Sequence, residues 1–350
     1  MTAVWNLPDF DDHEGIHIFR DRESGLTAII AVHSTALGPA AGGTRFWHYS
    51  DPAAAIIDAL RLSRGMSYKN AMAGLPMGGG KAVILSDSQG NKSDAMVEAF
   101  AKSVDSLGGR YVTAQDVGMS ADDMIAISKV TRHVCGLPAA ADQAGGDPGP
   151  STALGVFLGV KAAIKRALGK DSAKGVHVAI QGIGSVGGGL ARLLAADGAR
   201  LTLADRNGAH ATSLALELGA HVVATDEIMS VAAEIFSPCA LGAILDETSI
   251  SALKVAAVAG GANNQLAVPA DGDRLNARGI LYAPDYVINA GGIINVGVEY
   301  LKLGDRKSVE ARVAGIPDRL HQIWDESAAS GDNPAKVADR MAQAMIGRRN

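Results

Sequence analysis

Over the first 150 residues, apolar positions fall in short runs set between longer stretches of helical spacing. The segments "GIHIFRD", "LTAIIAVH", "KAVIL" and "RYVTAQD" read as strands, and the stretches near 51 to 67, 92 to 107 and 120 to 131 read as helices. This half is expected to be an α/β domain. In "AAADQAGGDPGPST", residues 139 to 152, Gly, Pro and Asp accumulate and the periodicity lapses, which marks a boundary. A more regular pattern follows: a helix from about 152 to 168, the strand "VHVAI", a glycine turn, the helix "SVGGGLARLLAADG" and the strand "ARLTLAD". Further strand-like pieces lie at "HVV", "AEIFSPCA", "KVAAVAG" and "GILYAPDYVINA". Short apolar strands alternating with helices predict a parallel, doubly wound sheet. From about 305 onward the chain reads as helices with polar faces. The expected division is an α/β substrate and oligomerisation domain over 1–146, joined by the C-terminal helix at about 325–350. A Rossmann-type dinucleotide-binding domain would span 147–324, with a cleft between the two.

Length agrees with this division, because 350 residues exceed the size at which one hydrophobic core stops growing. Hydrophobic residues make up 47% of the chain, enough to fill both cores, and 42 glycines suit tight turns and close packing of helices on sheets. A net charge of -5 argues against nucleic acid or an acidic membrane surface as a partner. Cys135 and Cys239 are too few for a disulfide framework or a metal knuckle, so buried thiols and no metal site are expected. The N-terminal "MTAVWNLPDFDDHEG" is acidic, without a basic or apolar leader segment. No apolar run reaches the ~18 residues of a membrane span, and a soluble cytoplasmic protein is expected.

The most informative turn is "AIQGIGSVGGGLA", where Gly182, Gly184 and Gly187 have G-x-G-x-x-G spacing between an apolar strand and a helix. The first Gly permits the tight turn, the second lets backbone approach a pyrophosphate, and the third lets helix and strand pack. The helix start, with Ser185 and Val186, attracts the anion. Asp205 ends the next strand, eighteen positions after Gly187, where a carboxylate accepts hydrogen bonds from ribose hydroxyls. That favours NAD over NADP, with the reservation that the adjacent Arg206 could partly accommodate a 2′-phosphate. The plainer alternative is a purely structural glycine cluster with Asp205 as a turn residue.

The first domain carries a second glycine run, "LPMGGGKAVI", residues 75 to 84. A phosphate-binding P-loop needs Gly and Ser or Thr where this chain has Leu75 and Ala82, so that reading is weak. Nearby, "LGPAAGGTR" offers Gly42 and Gly43 for close ligand approach, Lys69 precedes Lys81 by twelve residues, and Asp116 ends a strand in "TAQD". If they converge, these groups make an anion site with a proton-transfer pair. Otherwise the lysines are solvated and Asp116 caps the helix that starts near Ser120.

Taken in order, "GPAAGGTR", "PMGGGK", "QDVG", the glycine turn, "GGANNQL" and "YAPDYVINAGG" resemble the amino-acid dehydrogenases of the glutamate, leucine, phenylalanine and valine family. The resemblance runs from about residue 15 to 325 and is nearest to the leucine and phenylalanine enzymes. It implies NAD-dependent oxidative deamination of an L-amino acid to a 2-oxo acid and ammonia, in a homo-oligomer. It also implies roles: Lys69 binds the substrate carboxylate, Lys81 is catalytic, and Asp116 assists proton transfer. Thr152 and Asn263 would hold the nicotinamide end of the cofactor, and Asn289 would be a further polar anchor. The implied side-chain pocket consists of Ala41, Met66, Ala114, Ile293 and Val296, beside Gly42 and Gly43. None carries a charge, so an apolar substrate is expected rather than glutamate. Ala41 resembles the phenylalanine enzymes, whereas Ile293, Asn295 and Val296 resemble the leucine and valine enzymes, so branched-chain substrates lead and phenylalanine follows. The rival readings are a nucleotide triphosphate-binding protein, a non-catalytic NAD sensor, and a 2-hydroxy acid dehydrogenase. The last would want a histidine and carboxylate pair with an arginine, and no histidine here sits in such a motif.

Overall fold

The computed structural model describes residues 3 to 348; residues 1, 2, 349 and 350, which the expected domain ranges include, lie outside it. The first sheet contains β1 (Gly15–Arg20), β2 (Thr27–Ser34), β3 (Ala40–Trp47), β4 (Gly78–Leu85) and β5 (Tyr111–Gln115), in the order β1-β2-β4-β3-β5. β1 and β2 are antiparallel, as are β2 and β4, whereas β3 runs parallel to both β4 and β5. Two sequence expectations change here. The segment holding Gly42 and Gly43 is itself a central strand, β3, and the glycines before Lys81 belong to strand β4 rather than to a loop. Glycines carry no side chain, so a glycine-rich strand shows no alternation to read.

Alternation along β2 and β4 decides what each face of this sheet buries. Ala28, Ile30, Ala82 and Ile84 pack with Phe100 and Val104 of the helix Asp94–Asp105 on one face. Ile29, Ala31 and Val83 pack with Ala55, Ala59 and Leu60 of the helix Pro52–Met72 on the other. Lys81 has the parity of Val83 and therefore shares the face covered by Pro52–Met72. Asp51 caps that helix by accepting from Ala53 N, and Pro52 occupies its first turn, a position where proline costs no hydrogen bond.

The second sheet holds β6 (His177–Gln181), β7 (Arg200–Ala204), β8 (His221–Val222), β9 (Ile235–Pro238), β10 (Ala257–Val258) and β11 (Leu281–Tyr282). Its order is β11-β10-β9-β6-β7-β8 and every pair is parallel. The strand order reverses between β6 and β9, which is the arrangement of a Rossmann dinucleotide-binding fold. Helices Gly149–Leu168 and Ser185–Ala196 accompany it.

The chain divides into two compact units. The first comprises Met1–Asp147, Asn295–Arg306 and Ala342–Asn350; the second comprises Pro148–Ile294 and Lys307–Met341. This differs from a single return of the chain at about 325. Trp324 is buried and its indole N–H donates to Tyr282 O at 2.8 Å, while Leu320 lies against Gly159, so this part of the tail is fixed to the second unit. The earlier segment instead docks on the first unit: Asn295 both donates to and accepts from the Gly145 backbone, and Glu299 accepts from Gly136 N and Leu137 N. Among the described residues, no helix is long and apolar enough to cross a membrane.

Candidate active site

In the first unit, Lys81 projects from β4 and its amine donates to Asp116 Oδ2, just past the end of β5. β3 lies between these two strands, and Gly43, paired with Ala114, sits in the path. A Cβ on Gly43 would come within 2.8 Å of Asp116 Cβ and 2.9 Å of Gln115 O. The missing side chain is what lets lysine and aspartate meet over the middle strand. Asp116 is not the cap of the following helix: Ser120 caps Ala121–Ser128 itself, in a reciprocal capping box with Asp123.

Lys81 is 6% exposed. Burial pulls its amine below the ordinary lysine range, with the Arg45 charge acting the same way and the Asp116 and Asp58 carboxylates opposing. Burial works against ionisation of Asp116 too, but the Lys81 and Arg45 cations outweigh it and hold the carboxyl below its usual range. The pair is thus a buried amine, lowered from its ordinary range, in hydrogen-bond contact with a carboxylate, an arrangement suited to proton transfer.

Around this pair, Ala41 and Gly42 lie on β3 and Ala114 on β5. A Cβ at Gly42 would reach Met66 Cγ at 3.1 Å, which sets Met66 of the helix Pro52–Met72 beside β3. Lys69 follows Met66 by three residues on that helix and is half-buried. Val296 is buried in the first unit, next to Gly136, whereas Ile293 belongs to the second.

The remaining candidates lie in the second unit. Gly182 follows β6 with φ of +85°, and a Cβ on Gly187 would stand 1.9 Å from Gly182 O, so both positions exclude a side chain. Gly184 caps the helix Ser185–Ala196, which opens with Ser185 and Val186, and faces open space, leaving the helix N-terminus accessible to a diphosphate. Asp205 Oδ2 accepts from Ile183 N at 2.9 Å and Oδ1 from Asn207 N at 2.8 Å. Those donors overcome the opposing effect of burial and keep the carboxyl below its usual range, and a carboxylate has lone pairs left for ribose hydroxyls. Arg206 beside it is exposed. Asn289 Nδ2 donates to Asn263 Oδ1 at 2.8 Å and to Gly261 O, while its own Oδ1 is buried with no hydrogen-bond partner among the described residues. Thr152 donates its hydroxyl proton to Pro148 O at 2.8 Å, so toward a ligand that oxygen can act only as an acceptor. An open helix N-terminus, a charged carboxylate and an unsatisfied buried amide oxygen fit a nicotinamide dinucleotide. Among the described residues, no group of His, Cys, Asp and Glu could hold a metal ion.

Sequence reasoning missed the support of this site. Arg45 lies beside Asp116 and is held by Asp58, and Gln265 steadies the "GGANNQ" turn by donating to Gly260 O and Ala262 O. The signal for Arg45 was its place in "GGTR", two positions beyond the second glycine, but the neighbour it pairs with depends on strand order.

Comparison with known proteins gives the same picture. A family model described as Glu/Leu/Phe/Val dehydrogenase, dimerisation domain, matches residues 13–133, and one described as Glutamate/Leucine/Phenylalanine/Valine dehydrogenase matches residues 210–347. The leucine dehydrogenase of Thermoactinomyces intermedius is 46% identical over 96% of this chain and 91% of its own. The valine dehydrogenase of Streptomyces virginiae is 44% identical over 97% of this chain and 95% of its own. The crystal structure of L-tryptophan dehydrogenase from Nostoc punctiforme superposes with a TM-score of 0.85, at 41% identity and 96% coverage of both chains. With the motifs, the Rossmann unit and these matches in agreement, the chain belongs to the glutamate/leucine/phenylalanine/valine dehydrogenase family and is an amino-acid dehydrogenase, an oxidoreductase acting on a CH–NH2 group with a nicotinamide cofactor.

Proposed function

We propose that the chain catalyses the reversible, NAD-dependent oxidative deamination of an apolar L-amino acid, branched-chain substrates first and phenylalanine next. The observation that carries this reading is the buried Lys81–Asp116 pair in a unit whose candidate pocket residues are uncharged. The first unit holds the amino acid, with its carboxylate on Lys69 and its side chain against Ala41, Met66, Ala114 and Val296. Fixing the substrate by its carboxylate orients Cα, which converts binding into rate. A bound nicotinamide would supply the acceptor for the hydride that leaves Cα. Lys81, neutral after losing its proton, accepts one from the water that attacks the resulting iminium carbon, and its ammonium form then faces the developing alkoxide. Asp116, a carboxylate at rest, accepts a proton from the substrate ammonium before hydride transfer and returns it to the departing amine. Gly182, Gly184, Gly187 and the N-terminus at Ser185 and Val186 would hold the diphosphate and Asp205 the adenosine ribose, with Thr152, Asn263 and Asn289 toward the nicotinamide.

Asp205 supports NAD, since a 2′-phosphate would meet a like charge and exposed Arg206 offers only partial relief. A methylene or two in an apolar pocket is worth about 1 to 3 kcal/mol, so activities toward neighbouring substrates overlap. The relatives named leucine and valine dehydrogenase support the branched-chain preference, and the family model named for a dimerisation domain supports a homo-oligomer. The test is NADH formation from NAD and a panel of L-amino acids, repeated in reverse with 2-oxo acids. Turnover with leucine and valine above glutamate, and a reverse reaction that requires ammonia, are expected; a reverse reaction independent of ammonia would refute the assignment.

A further inference from the structure

The mechanism above leaves Arg45 unused, although its guanidinium stands between two carboxylates. Its Nη1 donates to Asp58 Oδ2 at 2.7 Å, and its Nε lies 3.5 Å from Asp116 Oδ2, the oxygen that also receives Lys81. Asp58, on the helix Pro52–Met72, is itself held from three sides, accepting from Tyr49 at 2.6 Å and Arg61 at 2.9 Å as well as from Arg45. Parity along β3 puts Thr44 and Phe46 on one face and Arg45 on the other, the face that carries Lys81. Arg45 is therefore built into the sheet at a fixed place and anchored at its far end by a helix.

We propose that Arg45, held by Asp58, is a positioning residue for the deamination: it keeps Asp116 turned toward Lys81 and is the second cation beside the Lys81 amine during proton transfer. The inference rests on the assignment of proton transfer to Lys81. Three charged groups act on Lys81 from the elements around it: Arg45 from β3, Asp116 from the end of β5, and Asp58 from the helix Pro52–Met72. Its partner across β2 is the apolar Ala31. With Lys81 protonated these four groups sum to zero charge, and with Arg45 removed two carboxylates would be left to hold the proton on Lys81. Burial lowers the amine, Arg45 lowers it further, and the two carboxylates raise it.

The experiment is the pH dependence of kcat/KM in Arg45→Gln, Arg45→Lys, Asp58→Asn and the double variant Arg45→Gln/Asp58→Asn. In Arg45→Gln the acidic limb is expected to move up by roughly one pH unit, so that the rate at neutral pH falls about tenfold while the rate at high pH recovers. Arg45→Lys, which keeps the charge, should restore most of the limb, and the double variant, which loses one cation and one anion, should move it back toward the wild type. Asp58→Asn, which removes the charge but leaves an amide oxygen to accept from Arg45, should shift the limb to lower pH, and it carries the test alone if Arg45→Gln does not fold. A uniform loss at every pH, equal profiles for Arg45→Gln and Arg45→Lys, or an unmoved limb in Asp58→Asn would overturn the proposal. Retained turnover in Lys81→Ala would instead remove the parent assignment, so the two failures are distinguishable.

Discussion

Gly43 shows how one absent side chain shapes the site. The lysine and the aspartate belong to strands separated by β3, and they meet only because position 43 carries no Cβ. Alanine there would press on Asp116 Cβ and on the Gln115 carbonyl, neither of which is the loose end of a flexible side chain, at a cost of about 1 to 3 kcal/mol. Gly43→Ala is therefore expected to fold and bind NAD, as followed by circular dichroism and NADH fluorescence, while losing at least about tenfold in kcat. Wild-type kcat would show that Asp116 needs no such room. At this scale the sequence was partly legible. Lys81 and Asp116 stand in recognisable strings, but the route between them depends on β3 lying in the middle, which no local string records. Arg45 and Asp58 were invisible as partners for the same reason.

Among the elements, the helix Pro52–Met72 does the most to organise the first unit. It carries Asp58, Met66 and Lys69 on its course and is tied down from β2 and the N-terminal segment. His13 Nε2 lies 3.1 Å from Leu60 O and 3.0 Å from Ser63 Oγ, and His33 Nδ1 lies 2.7 Å from Ser67 Oγ. Burial is the main cause that lowers the His13 imidazole from 6.5 to about 4. Between those values the unfolded chain binds a proton that the folded chain refuses. The stability carried by the neutral ring is thus complete above pH 6.5 and is lost progressively as pH falls toward 4. The loss amounts to at most about 3 kcal/mol. Urea midpoints at pH 7 and pH 4.5 should fall less steeply in His13→Gln than in the wild type, and parallel slopes would contradict this reading. The helix itself was legible from its apolar spacing. The glycines within β3 and β4 were not legible as strand, because residues without side chains leave no period to detect.

For the whole molecule, composition and periodicity indicated two α/β units, and the parallel sheet with its reversal between β6 and β9 supplies the dinucleotide fold that the glycine turn implied. What remained illegible was how the tail is apportioned. Segments 295–306 and 342–348 belong to the first unit, where Gln343 donates to Tyr68, while 307–341 stay with the second, where Trp324 donates to Tyr282 O. Periodicity reports that a helix has an apolar face without saying which neighbour will cover it. The claim on which the molecule's chemistry turns is that the buried amine at position 81 moves the proton during deamination. Its most direct test is kcat for NADH formation from L-leucine in Lys81→Ala, with NAD affinity measured alongside. The account predicts unchanged affinity and a fall in kcat of at least about a hundredfold; turnover near that of the wild type would contradict it.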